Sequence, residues 1–252
     1  MQRLLYRPLI SLLALVSLLT LHGCGEPEQP TTPQTNSAEG FWTGNTNTNR
    51  ALTGVVLDDG SYYFFYSVAG NPAQVAGVIQ GTGTSSDGTF TSGNTRDFRI
   101  GASTLNATIT ATYGNRSFLN ATITYAGGAI VTFTSSFNAA YDSNPTLAAV
   151  SGFYTGQAGS SGGVQAANIN VTGGGPFTGA ETNGCAFTGT AAPRIRGNAF
   201  NQTITFGGAP CFFAGSTFQG IALFDLATLR LMAAAPNGTR TDAAIFSGLR
   251  IL

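Results

Sequence analysis

Polar and apolar residues alternate with a period of two through most of this 252-residue chain, and that period belongs to half-buried β-strands. Ser103-Thr104-Leu105-Asn106-Ala107-Thr108-Ile109-Thr110-Ala111-Thr112-Tyr113 sets Thr and Asn against Leu, Ala, Ile and Tyr, and Phe118 to Tyr125 repeats the scheme. Turn signals return at intervals of roughly 8 to 12 residues. They include Asp59-Gly60, Asp87-Gly88, Gly127-Gly128, Gly173-Gly174-Gly175, Gly207-Gly208 and Asn237-Gly238. No stretch reads as a long amphipathic helix, and Asn144 to Val150 is short enough to be a turn of helix or a linker. The expected fold is all-β, with antiparallel strands in two similar halves, residues 40–146 and 151–252, of roughly eight strands each. Each half must close as a small barrel or sandwich to protect its edges. A single barrel or sandwich drawn from both halves is the alternative.

Internal echoes motivate the two halves. Gly40-Phe41-Trp42-Thr43-Gly44 returns as Gly152-Phe153-Tyr154-Thr155-Gly156. Phe90-Thr91-Ser92-Gly93 is echoed by Phe177-Thr178-Gly179, and Thr122 to Gly128 by Thr203 to Gly208. Gly54 to Asp59 resembles Gly220 to Asp225, which falls late in the second half rather than early. Either a hairpin is permuted or similar hairpins look alike. Glycine is abundant, at 34 residues, and Gly44, Gly156 and Gly248 are placed where strands approach closely.

Tyr62-Tyr63-Phe64-Phe65-Tyr66 puts five aromatics in a row on one expected strand. Alternation sends Tyr62, Phe64 and Tyr66 to one side and Tyr63 and Phe65 to the other. One set fills a core. The other is covered by the second half or exposed for recognition, where aromatics are enriched. Trp42 and Tyr154, from the repeated motif, are either core plugs or a ligand platform. Trp42, Tyr63, Phe65 and Tyr154 are therefore the candidate binding surface.

Composition excludes several chemistries. Charged residues make up only 9% of the chain, against about 25% in typical soluble domains. All eleven basic residues are Arg, and the single His is His22.

The N-terminus explains why His22 does not count. Arg3 and Arg7 precede an apolar run from Pro8 to Leu21, at about 14 residues too short to span a bilayer. The run closes on Leu21-His22-Gly23-Cys24, which resembles the lipobox of bacterial lipoproteins. The resemblance implies a signal peptide over 1–23 and acylation of Cys24, whose chains anchor the protein durably in a lipid bilayer. Gly25, rather than Asp, follows the cysteine, and for a chain of this kind the resemblance then favours the outer membrane. Display toward the periplasm or the cell surface is left open. Residues 24–39, Pro-rich and almost without apolar side chains, form a lipidated tether that reaches about 45 Å when extended.

The exported chain then has no His and no Lys. That removes Ser-His-Asp and Cys-His catalysis, His-ligated metal, axial His to haem and Lys Schiff bases. Nine arginines face eleven acids after cleavage, so a nucleic-acid partner is not expected. No cofactor is indicated. With Cys24 acylated, Cys185 and Cys211 remain as a pair for a disulfide in an oxidising compartment. Two buried thiols are the alternative. Paired-carboxylate chemistry stays open, with Asp58, Asp59, Asp87, Asp97, Asp142, Glu181, Asp225 and Asp242 as the available acids, mostly in turn-like settings.

Gly152-Phe153-Tyr154-Thr155-Gly156, Gly184-Cys185-Ala186-Phe187-Thr188-Gly189, Thr205-Phe206-Gly207-Gly208-Ala209-Pro210-Cys211 and Phe246-Ser247-Gly248-Leu249-Arg250 together resemble a group of uncharacterised proteobacterial envelope lipoproteins. The layout, a lipid tether before small β-barrels, also resembles transferrin-binding and factor-H-binding surface lipoproteins. That likeness is architectural and transfers no binding residues.

The leading functional expectation is a non-catalytic, lipid-anchored envelope protein that binds a protein or glycan partner or serves a structural role. A small-ligand carrier with a Tyr- and Phe-lined barrel cavity is the second, and a carboxylate-dependent glycan hydrolase the third. Intact-mass measurement of the membrane-extracted protein should find Cys24 acylated at the new N-terminus. An unmodified cysteine or a retained leader would overturn the export reading.

Overall fold

The computed structural model describes residues 36–252, so the expected signal peptide, Cys24 and most of the expected tether lie outside the described residues. The first half contains β1 (Gly40–Thr46), β2 (Ala51–Val56), β3 (Ser61–Val68), β4 (Asn71–Thr82), β5 (Thr84–Ser86), β6 (Thr89–Arg99), β7 (Leu105–Gly114), β8 (Phe118–Tyr125) and β9 (Ile130–Asn138). A 3-10 turn (Ala139–Asp142) and the one-turn helix α1 (Leu147–Val150) lead to the second half. That half contains β10 (Gly152–Ser160), β11 (Gly163–Val171), β12 (Pro176–Glu181), β13 (Ala186–Pro193), β14 (Ala199–Phe206), β15 (Thr217–Asp225), β16 (Arg230–Pro236) and β17 (Ala243–Ile251).

Each half is an up-and-down antiparallel barrel. In the first, β1 pairs with β9, and β4 pairs with β6 while the short β5 hangs beside β6. In the second, β10 pairs with β17 and closes a ring of consecutive strands. Eight strands enclose a space that side chains can fill. Leu52, Phe64, Ile109, Ile123 and Phe133 fill the first interior, and Ile169, Phe177, Phe187, Phe200 and Phe224 fill the second. Outward positions of β7 and β8, such as Thr108, Thr110, Thr122 and Thr124, are exposed. That wall is hydroxylic, unlike the apolar band of a membrane barrel.

Glycine makes room for the rings. Phe187 of β13 lies opposite Gly179 of β12, and Phe177 lies opposite Gly189. A Cβ at either glycine would strike the facing ring. Gly54 and Phe64 form the same cross-strand pair in the first barrel. The pairing lets a large ring lie flat over a neighbouring strand inside a narrow barrel. Gly44 and Gly156 instead meet the backbone of the adjacent strand, β9 and β17 respectively, as the close-approach expectation required.

One end of each barrel is stoppered by the segment that precedes it. The Trp42 indole N–H donates to the Ala38 carbonyl at 2.9 Å, and the Tyr154 hydroxyl donates to the Val150 carbonyl at 2.6 Å. In both cases the acceptor lies four residues earlier and its side chain is buried. The Gly-aromatic echo is thus a shared device at the same place in each barrel. The other echoes are not. Thr122 to Gly128 leaves β8 and Thr203 to Gly208 leaves β14, which occupy different places in their rings. Gly54-Val55 and Gly220-Ile221 look alike because Val55 and Ile221 belong to one apolar cluster between the barrels. Ala38 and Glu39, expected in the tether, are buried. Glu39 accepts from Arg196 at 2.8 Å and from the Tyr141 hydroxyl at 2.7 Å.

The barrels share a wall. Phe41, Val55, Tyr63, Phe65, Val78 and Phe98 from the first meet Ile221, Leu223, Met232, Ala234 and Ile245 from the second. Arginines of the second barrel bind around this patch. Arg194 pairs with Asp58 at 2.6 Å, Arg240 donates to the Gln80 and Asn94 carbonyls at 3.0 and 2.9 Å, and Arg230 donates to the Ala73 carbonyl at 3.1 Å.

Gly54→Ala should lower stability by about 2 kcal/mol, because overpacking here meets the Tyr63 carbonyl as well as a ring. Gly127, with open space around its Cβ direction, is the control, and Gly127→Ala should melt in urea within about 0.5 kcal/mol of the parent.

Candidate functional sites at the open barrel ends

Stoppering leaves the opposite ends of both barrels open, and each mouth contains a cavity. The first-barrel mouth encloses about 570 Å³, lined by Thr46, Thr48, Arg50, Tyr66, Asp97, Arg99, Thr104, Asn106 and Tyr125, among others. Asp97 reaches it because of a β-bulge. Between Ser92 and Thr95, β6 carries one more residue than β7. The extra residue switches which alternate positions face inward, so Phe90 and Ser92 point in before it and Thr95 and Asp97 after it. The bulge is held by the Tyr62 hydroxyl, 2.9 Å from Ser92 Oγ and 2.6 Å from Thr95 Oγ1.

Asp97 is 3% exposed. Its Oδ1 accepts from the Tyr66 hydroxyl at 2.7 Å and its Oδ2 from the Tyr125 hydroxyl at 2.8 Å. Burial pushes its carboxyl above the ordinary aspartate range, against the opposing pull of the two phenols and of Arg99 and Arg50. The same burial, with the adjacent carboxylate, pushes both phenols far above ordinary tyrosine. Arg50 donates to the Ser67 carbonyl at 2.8 Å, and its guanidinium sits 5.5 Å from the centre of the Tyr66 ring. Arg99 donates twice to the Ser103 carbonyl, at 3.0 and 2.8 Å.

The second-barrel mouth is smaller and apolar, about 200 Å³, walled by Ile169, Phe177, Phe187, Ile204, Phe206, Phe213 and Phe246, with Gln165, Glu181 and Asn183 among its polar residues. Ring centres of Phe206 lie 5.9 Å from Phe187 and 5.4 Å from Phe213. Phe212 lies across Gly162, at the β10–β11 turn. The Cys185–Cys211 disulfide forms as expected and ties the β12–β13 connection to the loop that carries Phe212 and Phe213. Burial raises the Glu181 carboxyl, opposed by the Asn183 amide.

The expected aromatic surface is not a surface. Trp42 and Tyr154 are fully buried under their stoppers. Burial pushes the Tyr154 phenol up to about 12. Tyr63 and Phe65 are 8% and 2% exposed, within the wall between the barrels. All four pack rather than face a partner: Trp42 and Tyr154 lie inside the barrel interiors, and the second barrel covers Tyr63 and Phe65 on the outward face of β3. Cys24 lies outside the described residues. The residues that line the two mouths are others, Arg50, Tyr66, Asp97 and Tyr125 in one and the Phe cluster in the second. Cys211-Phe212-Phe213 was the available signal for the second mouth.

No protein-family model matches the chain, and a search of curated proteins finds no match.

Because folded Asp97 holds its proton at higher pH than the unfolded chain does, its contribution to stability grows as pH falls through its raised folded value. The gain is complete below the unfolded value of about 3.9. Asp97→Asn should abolish that gain. Urea melts between about pH 4 and pH 7 should show the parent gaining on the variant toward acid.

Proposed function

We propose that this chain is a lipid-anchored, non-catalytic binding protein of the bacterial outer membrane that carries a small apolar ligand in the mouth of its second barrel. The observation that carries this reading is the open cavity of about 200 Å³ walled by Phe177, Phe187, Phe206, Phe213 and Phe246. A dry apolar cavity of about 150 Å³ can hold a benzene ring, so a small aromatic group or a short acyl chain is the class that fits. The polar groups at the same mouth, Glu181, Gln165 and Asn183, suit a ligand with one polar end.

The sequence favoured a macromolecular partner on four grounds: the lipid anchor, the tether, the missing catalytic groups and an aromatic face with no assigned cover. With Tyr63 and Phe65 enclosed, the last of these is gone, and the open apolar cavity favours the carrier reading over it. A non-catalytic role is supported by the lack of His and Lys after Cys24. It is also supported by the acids at the mouths: Asp97 is the carboxylate lining the first and Glu181 the one lining the second. Paired-acid hydrolysis needs two carboxyls about 5–10 Å apart across a cleft. Anchorage rests on Leu21-His22-Gly23-Cys24.

Titration with 1-naphthol, followed by fluorescence, tests the carrier role. Ala158 lines this cavity beside Phe246, and Ala158→Phe should weaken naphthol binding by at least about tenfold while the variant still melts cooperatively. Equal binding by the parent and Ala158→Phe would remove the cavity from consideration.

A further inference from the structure

The charges at the first-barrel mouth have no use in an apolar carrier. Asp97 is almost completely buried, and its oxygens meet phenols rather than a cation. Among the described residues, no arginine lies within ion-pairing distance of it. A buried carboxylate with no directly paired cation is costly even with Arg50 and Arg99 nearby, and an apolar side chain would fill the same space without that cost. The two cations of this mouth are turned to backbone carbonyls, Arg50 to Ser67 and Arg99 to Ser103. Both are only partly buried. The cavity therefore presents one recessed negative group and two positive groups nearer solvent.

We infer that this mouth binds a small zwitterion with a primary ammonium and a carboxylate, of the class of amino acids and short peptides. The ammonium sits against Asp97 and supplies the direct ion pair it lacks, beside the Tyr66 and Tyr125 rings. The carboxylate faces back toward Arg50 and Arg99, whose guanidinium forks suit it. A simple cation would meet two arginines on entry, and a simple anion would meet Asp97 at the floor. A neutral sugar would leave all three charges uncompensated. A volume of about 570 Å³ lies within the usual range of small-molecule sites, about 300–1,000 Å³, and accommodates a short peptide. The inference is independent of the carrier role assigned to the second barrel.

Isothermal titration of the full chain, extracted in detergent, with tri-alanine at neutral pH tests it. Binding is expected, and N-acetylation of the peptide or Asp97→Asn should each weaken it by at least about tenfold, with C-terminal amidation weakening it as well. Asp97→Asn also changes the partners of Tyr66 and Tyr125, so the blocked peptides on the unaltered protein carry the test by themselves. Three results would overturn the inference. They are no tri-alanine binding up to about 10 mM, equal binding of the N-acetylated peptide, or Asp97-dependent binding of maltose in its place. The 1-naphthol signal, read in the same samples, should not respond to tri-alanine, which separates failure at one mouth from failure at the other.

Discussion

The wall between the barrels is the contact on which the rest of the molecule depends. A closed barrel of eight strands has one interior, and its outer face normally meets water. Here β2, β3 and β4 carry apolar residues on the outer face too, at Val55, Tyr63, Phe65 and Val78. Such a face is stable only when covered. Ile221, Leu223, Met232, Ala234 and Ile245 cover it, and the arginine contacts around the patch hold the two barrels in register. Arginine suits this task, because its planar fork serves several acceptors at once: Arg240 donates from Nε to Gln80 Oε1 and from Nη2 to the Gln80 and Asn94 carbonyls.

With the wall made, the ends of the barrels are what remains for chemistry. The same local solution closes one end of each: an aromatic side chain with a polar tip bonds to the carbonyl four residues before it. The hydrogen bond satisfies a buried donor and pins an apolar residue, Ala38 or Val150, over the core. The other ends are free to diverge, and they have. One mouth gathers hydroxyls, two arginines and a buried carboxylate. The other gathers phenylalanines held by a disulfide-tied loop. The scaffold is shared, and the chemistry of the two mouths is not.

Several features were legible from the chain alone because their causes are local. Thr-apolar alternation with recurrent Gly and Asp-Gly turns announces antiparallel strands. The repeated Gly-aromatic-Thr-Gly marks the first strand of each barrel. Cys185 and Cys211, the two cysteines after Cys24, pair with one another. Other features were not legible. Glu39 reads as tether from its Pro- and Gln-rich neighbours, yet its partners Arg196 and Tyr141 stand more than a hundred residues away. Asp97 follows a turn-like Gly93-Asn94, and only the pairing of β6 with β7 reveals that one of those residues is an insertion in the ladder.

The period of two by itself determined that each strand has two faces and which residues share one, since side-chain direction follows from backbone geometry within a strand. It therefore sorted Tyr62, Phe64 and Tyr66 from Tyr63 and Phe65. Only the tertiary structure decided what each face would meet. It sent the first set into a barrel interior and the second against another barrel, and a single bulged residue turned Asp97 inward toward an open cavity. The physical reason is that alternation is written within a strand, whereas the cover for a face comes from chain distant in sequence.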